Sequence, residues 1–461
     1  MEDTVPARPE RTPGAKFLWT ALIGLVLAIP LFSVYLLVYD RQSQSETARA
    51  SIAQGWGGPQ TIAGPFLVIP FLDQATETVV EGGRQVTRSR DVWRELALSP
   101  EAAELQTELS PERRKRSIYE AVVYEAAVRG QARFALPADL ARYGVTIDRL
   151  AFDRAELRFG LSDARGLFGP PPQVHVAGLA LTLQPGKGPA QTRGSGFYAP
   201  LDASALKAGP IATSFVYAMR GNDSLTLAPQ AGDTRWTVVS PWPHPSFQGG
   251  FLPATRRVGD NGFSATYRVG NLALGQSLVD VRDPVQAAPP EPRAVQGPDA
   301  GEHEARITLV QPVDLYSQVN RAVKYGFLFI GFTFLAFLMF DVIGGVAVAG
   351  VEYLLVGAGL VLFFVLLLAF AEVIGFTAAY LLASAAIIGQ IAAYSAAVLK
   401  SWRRAVWIGG LLVALYAVLY ILLSLEAYSL LIGSVLLFVA LGAVMYVTRR
   451  VDWTGKRISA T

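Results

Sequence analysis

The sequence predicts an integral membrane protein of helical type, one N-terminal span plus a C-terminal five-helix bundle, carrying a large extracytoplasmic all-β, sandwich-like domain. Three observations lead there. Apolar residues make up 52% of the 461 positions and charged residues only 17%, below the roughly 25% charged share of soluble chains. The apolar excess is concentrated near the N-terminus and after residue 325. Between these regions, short runs of alternating apolar and polar residues are separated by Gly, Pro, Asn and Asp clusters, the pattern of strands joined by turns.

The first element is residues 17–39, FLWTALIGLVLAIPLFSVYLLVY, without a charge and flanked by Lys16 and Asp40. About 20 apolar residues cross a bilayer. A cleaved signal peptide would have a shorter apolar region ending in small residues, whereas this one ends in Tyr35, Leu36, Leu37, Val38 and Tyr39. It therefore reads as an uncleaved anchor, with Pro30 introducing a kink that a membrane helix can tolerate. Residues 1–16 form a short tail. Residues 41–54 are polar and without alternation, so they extend the first helix as a stalk, and GWGGPQ at 55–60 opens the folded domain.

Period-two runs follow at 117–129, 131–135, 154–161, 173–183, 214–220 and 235–239. The exported region, 40–325, exceeds one ordinary sandwich, leaving room for two lobes divided near Gln184 to Ser195. Arg113 to Arg116 is its one basic run and reads as a solvated loop leading into a strand; a phosphate or lipid-headgroup contact is the sharper alternative. Residues 283–303 read as an exposed loop. In SPWPHPSFQGGFLP, residues 240–253, aromatics and prolines crowd together without alternation. A turn packed through Trp242 and Phe247 is one reading, and a contact for a ligand or partner through Trp242, His244 and Phe247 is the other.

Five further spans fit about 326–346, 353–371, 374–398, 406–424 and 427–447, giving a bundle over 326–448 and a short tail at 449–461. Lys and Arg mark the cytoplasmic side of short loops. With the N-terminus inside, Arg8, Arg11 and Lys16, then Lys400, Arg403 and Arg404, then Arg449, Arg450, Lys456 and Arg457 all fall inside, while the short outer loops carry none. Both termini are thus expected in the cytoplasm and 40–325 beyond the membrane.

Composition and motifs narrow the function. A net charge of +3 argues against a nucleic-acid partner, and the absence of Cys removes disulfides, cysteine metal sites and thiol nucleophiles. No phosphate-binding loop, dinucleotide fingerprint, zinc-protease His pair or GxSxG turn occurs. No cofactor, metal or catalytic residue is therefore assigned, and the expectation is a protein that is not an enzyme. Ionisable groups near the spans are costly and often functional. Asp341, Glu352, Glu372 and Glu426 are expected at the interface with their carboxylates in water, VIGGVAVAG beside Asp341 being an inner loop or re-entrant segment. The competing reading is a transporter or lipid-handling protein whose polar bundle site draws on Glu372, Gln390 and Tyr394.

Several phrases together resemble one family. They are Gly55-Trp56-Gly57-Gly58-Pro59-Gln60 with Gly64-Pro65 and Pro70-Phe71, then Leu161-Ser162-Asp163-Ala164-Arg165-Gly166, then Trp242 to Gly249 with Leu252-Pro253. The most extensive runs from Pro312-Val313-Asp314-Leu315-Tyr316 through Arg321 to Tyr325 and on to Phe332-Thr333-Phe334, with Glu352 to Gly357 and Ala371-Glu372 following. In this order they resemble the CreD family of bacterial inner-membrane, cell envelope integrity proteins. The family usually places Glu where Asp341 stands and His where Val373 stands, and a His-Pro pair before Glu352 is missing. The resemblance implies the same one-plus-five topology, a Gram-negative inner membrane with a periplasmic domain, and a role in envelope and β-lactam stress. The partners it suggests are the lipid bilayer and a periplasmic envelope protein or lipid, and it implies no known reaction.

Overall fold

The computed structural model describes residues 12–81, 84–116, 119–282, 303–310, 315–342, 348–424 and 429–449. The expected loop at 283–303, most of VIGGVAVAG, Glu426 and the outermost basic residues of both tails lie largely or wholly outside the described residues. Two compact units emerge: Met1–Glu46 with Val313–Thr461, and Thr47–Pro312.

The chain enters through α1, Pro13–Trp56, a single 44-residue helix that continues through Pro30 and through the polar stalk. Strands then run in order: β1 Gln60–Glu81, β2 Arg84–Leu98, β3 Ala102–Arg116, β4 Tyr119–Phe134, β5 Ala155–Leu161, β6 Gln173–Val176, β7 Leu179–Ala180, β8 Gln184–Pro185 and β9 Gly196–Leu201. After them come β10 Ile211–Asn222, β11 Ser224–Ala228, β12 Asp233–Ser240, β13 Pro245–Gly249, β14 Thr255–Gly259 and β15 Gly262–Gly270. The short helix α2, Asn271–Leu274, precedes β16 Val279–Arg282 and β17 Ala305–Leu309.

These strands make two sheets. One has the order β13-β17-β11-β1-β5-β9-β8, with β2 added on β1 and β16 on β2; the other is β14-β15-β12-β3-β4-β10-β6-β7. Most pairs are antiparallel, but β1 runs parallel to β11 and β3 parallel to β12. Alternating burial along β10, β12 and β15 shows why these segments form half-buried strands, with one face on the core and one on water. A single apolar cluster joins both sheets, with Leu67, Ile69 and Leu157 from one and Leu105, Val128, Phe215 and Trp236 from the other. Within it Phe159, Phe197, Phe215 and Tyr217 stack or meet edge to face, their centroids 4.9–6.2 Å apart. The indole of Trp236 donates to Thr107 Oγ1 at 3.0 Å, so this fully buried Trp leaves no orphaned donor.

Two sequence expectations change here. Gln184 to Ser195, expected to divide two lobes, instead contributes β8 and a 3-10 turn beside β9 in one sheet, and what is doubled is the sheet rather than the stretch of chain. Arg113 to Arg116 is not a loop, because it is the end of β3, paired residue by residue with β4 from Arg113↔Val122 to Arg116↔Tyr119.

The other unit is helical. An amphipathic helix, α3 Leu315–Lys324, precedes α4 Gly326–Val342, α5 Gly350–Ile374, α6 Phe376–Val398, α7 Trp402–Ser424 and α8 Ser429–Thr448. Among the described residues five helical stretches, beginning with α1 and ending with α7, are long and apolar enough to cross a membrane. The last span read from the sequence falls on α8, whose 20 residues include no charge. The bundle packs through rings: Phe363 and Phe329 both meet Tyr416 at 4.6–4.8 Å, and the Tyr380 hydroxyl donates to the Tyr416 carbonyl at 2.7 Å. Gly357 faces Leu27 of α1 so closely that a Cβ there would collide with it, which is how a small residue lets two membrane helices approach.

Candidate functional site

Two of the quoted phrases meet at one place in the β unit. α1 ends at Trp56, and Gly57 turns the chain with a φ of 109°, where a Cβ would stand 2.8 Å from the Arg220 carbonyl. Three residues later Gln60 is fully buried. Its Nε2 donates to the carbonyls of Asp163 (3.2 Å) and Arg220 (2.9 Å), while its Oε1 lies 3.2 Å from both the Ser162 hydroxyl and the Asp163 N–H. All the polar capacity of the amide is spent. Thr61 N–H donates to the Ser162 hydroxyl at 2.9 Å, which closes the junction on its other side. Gly166 is required because a Cβ there would come 2.5 Å from the Gln60 amide nitrogen.

Charge and aromatic surface frame this junction. The Asp163 carboxylate accepts from the backbone and guanidinium of Arg165, and those bonds, chiefly the side-chain one, hold its pKa below the usual range. The Tyr124 hydroxyl donates to the Ser224 carbonyl at 2.8 Å, and burial pushes its pKa well above that of a free phenol. Trp56 lies under two guanidinium groups, Arg114 at 3.6 Å and Arg220 at 4.0 Å from the ring centroid, and its indole N–H donates to the Tyr124 carbonyl at 3.3 Å. Arg220 also covers Phe168 at 4.4 Å and pairs with Glu125 at 3.0 Å. The basic run is thus partly spent on stacking, Arg113 lying 5.7 Å from the Trp242 ring.

The third phrase builds a second feature. Trp242 is buried, its indole N–H donating to the Val310 carbonyl at 3.1 Å, while the His244 carbonyl accepts from Val310 N–H at 3.2 Å. Phe247, half-buried on β13, meets Phe263 edge to face at 5.8 Å. Two of the three residues expected as contacts are therefore anchors. His244 is exposed, as are Gln248 and Leu252, the last at 66%. What reaches solvent is the stretch these anchors hold in place.

The helical unit separates the residues expected to form a polar bundle site. Glu372, its side chain 13% exposed, lies in the last turn of α5, accepts from the Tyr316 hydroxyl at 3.2 Å and has Arg41 Nε at 4.0 Å. Gln390 is exposed and Tyr394 half-buried on α6. They follow Phe376 by fourteen and eighteen residues, so they stand about 21 and 27 Å along the helix from its start. Glu372 and those two residues do not converge. Glu352 caps α5, accepting from Ala349 N–H at 2.7 Å.

Asp341 departs from the expectation of an interfacial, hydrated carboxylate. Its side chain is 3% exposed and lies 2.6 Å from Lys16 Nζ, 325 residues away in sequence. Burial in a helix bundle makes a lone carboxylate costly, and the ammonium offsets that cost. This pair and the Gln60 junction escaped the sequence reading because spacing along the chain carries no sign of either. The isolated charges of Lys16 and Asp341 in apolar surroundings were the one available signal. Among the described residues no group of three or more His, Cys, Asp or Glu is placed to hold a metal ion.

Comparison with known proteins agrees in extent with the quoted phrases. The family model described as inner membrane protein CreD matches residues 12–454. The inner membrane protein CreD of Escherichia coli (strain K12) is 32% identical over 445 residues, covering 94% of this chain and 92% of that protein.

Proposed function

Because the chain belongs to the CreD family of inner membrane proteins, we propose that it maintains cell-envelope integrity under envelope or β-lactam stress without catalysing a reaction, its β domain contacting an envelope protein or lipid. The observation that carries this reading is the turn after β12. Trp242 and Phe247 fasten it to the core, His244 and Gln248 are left exposed on a backbone bonded to β17 and Val310, and exposed Leu252 follows just beyond β13. A stretch that is hydrogen-bonded to its neighbours and partly apolar yet open to solvent suits recognition, since those bonds lower the ordering cost to be met on binding. In this reading both termini are cytoplasmic and residues 40–325 periplasmic, which the exposed Lys400 and Arg403 at the α6–α7 turn support.

The alternative, transport or lipid handling through Glu372, Gln390 and Tyr394, is weakened because Gln390 and Tyr394 stand about 21 and 27 Å down α6 from the end of α5 that carries Glu372. The test places photo-crosslinking residues at His244 and Leu252 of the full chain in living cells under β-lactam stress. Adducts with an envelope protein or lipid, together with lost stress tolerance in a His244→Ala/Leu252→Ser variant, are expected. Full tolerance in that variant with no adduct would end the proposal.

A further inference from the structure

Within the helical unit an apolar groove of about 310 Å³ runs between α1 and α4. Its walls include Ala21, Gly24 and Ala28 on one side and Ile330, Gly331 and Leu335 on the other. The helices are antiparallel along it, since Gly24 faces Phe334 while Gly326 faces Leu31. From Phe17 to Leu31 the α1 wall takes fourteen steps of 1.5 Å, about 21 Å. Both helices belong to stretches long and apolar enough to cross a membrane, so hydrocarbon rather than water is the medium that meets the groove.

One end of the groove carries charge. Phe17 and Leu338 line it there, and the Lys16–Asp341 pair lies beyond them, Lys16 next to Phe17 and Asp341 one turn after Leu338. The two partners are not equally accessible: the Lys16 side chain is 23% exposed and that of Asp341 only 3%. A molecule arriving from outside therefore meets the ammonium first, and the carboxylate lies behind it. Among the described residues Asp341 engages one of the three Lys16 donors, at 2.6 Å, so hydrogen-bonding capacity for an anionic oxygen remains although the charge itself is paired.

We infer that this groove binds an anionic phospholipid, one acyl chain lying between α1 and α4 and the phosphate at Lys16. An apolar slot of acyl-chain length with a cation presented at one end matches such a lipid in both parts. The long Lys side chain can lift its ammonium to the headgroup level. This inference rests on the membrane placement of the helices and is independent of what the β domain contacts.

The test is native mass spectrometry of the full chain, delipidated in neutral detergent and then offered phosphatidylglycerol or phosphatidylcholine. Wild type is expected to retain phosphatidylglycerol about twofold better, less than the roughly fivefold that an unpaired Lys near an anionic surface is worth, because Asp341 shares the ammonium. Gly331→Leu adds a side chain whose Cβ meets no atom within 4 Å and whose remaining atoms fill the groove; an unchanged Tm in detergent checks that the fold is kept. Retention of either lipid should drop about tenfold or more, because several buried methylenes are displaced. The double variant Lys16→Gln/Asp341→Asn, which leaves no unpaired charge, should retain both lipids equally. Equal retention of the two lipids by wild type, or unchanged retention by Gly331→Leu, would overturn the inference. A dimer that Gly331→Leu converts to monomer would also overturn it, by assigning the groove to a second copy.

Discussion

The two units solve the problem of buried polarity in different ways. At the Gln60 junction of the β unit, a neutral amide holds backbone groups of two other segments, and each of its donors and acceptors is used. In the helical unit, where the backbone already satisfies itself along each helix, the tie between α1 and α4 is an ion pair. The contrast teaches where each kind of bond is worth having. A sheet domain has loose carbonyls and N–H groups at its strand ends that an amide can collect. A membrane bundle offers few such groups, and a charge there must bring its own partner.

The comparison can be broken most forcefully at the ion pair. Lys16→Leu leaves the buried Asp341 without its counterion and should cost about 3–5 kcal/mol, the range for an orphaned buried charge, whereas Lys16→Leu/Asp341→Leu should recover most of it. Thermal unfolding of the purified full chain in detergent would show this as a large fall in Tm that the double variant reverses. A small fall for the single variant would mean that the pair is solvated and the contrast false.

Gln60→Leu should cost about 1–3 kcal/mol, because it abandons buried backbone groups without leaving a charge. Gly57→Ala belongs to the same range, about 1–3 kcal/mol, for a side chain forced to positive φ. Both should lower the unfolding midpoint of the β unit, read by near-UV circular dichroism from its buried Trp236 and Trp242, by less than Lys16→Leu lowers that of the helices.

A smaller effect concerns pH. The carboxyl of Asp163 is held below its usual range by Arg165, so the folded state binds its proton less readily than the unfolded chain does. The stability it contributes is therefore present above the unfolded pKa, near 3.9, and is lost as pH falls through the folded value. Asp163→Asn should flatten the acid limb of a stability–pH curve and change little at neutral pH. The smallest effect is expected from Arg142→Ala, which removes an exposed ion pair with Asp139. Such pairs contribute at most about 1 kcal/mol, and a midpoint unchanged within error would set the baseline for the other variants.

The helices were legible because each is a long apolar run bounded by charges or turns, the strands β4, β10 and β12 because part of one face of each meets water, and β5 because half-buried Glu156 and Arg158 alternate with its apolar residues. β1 was hidden for the opposite reason. Ile62, Leu67, Ile69 and Phe71 enter the main core while Phe66 and Val68 form a smaller cluster with Ala97, so both faces are apolar and the period of two disappears. The basic end of β3 hid its strand behind four charges, which a hairpin end can carry because its side chains reach solvent or aromatic faces. In the candidate site, Trp242 and Phe247 could be read as packing residues from the sequence. Gln60 could not, since its partners Ser162, Asp163 and Arg220 are far off in sequence, and a glutamine opening a strand looks like any surface residue.

The parallel pairing of β1 with β11 also has a consequence in time. Ala63 lies opposite Ala228 and Glu108 opposite Val239, so the centre of each sheet joins strands more than a hundred residues apart. Contacts of such long range slow folding. At synthesis rates of about 5–20 residues per second, roughly ten to thirty seconds separate the appearance of Ala63 from that of Ala228. Throughout that interval β1 has an unmatched edge, so the early hairpins of this domain depend on protection from misassociation until the second half of the chain arrives.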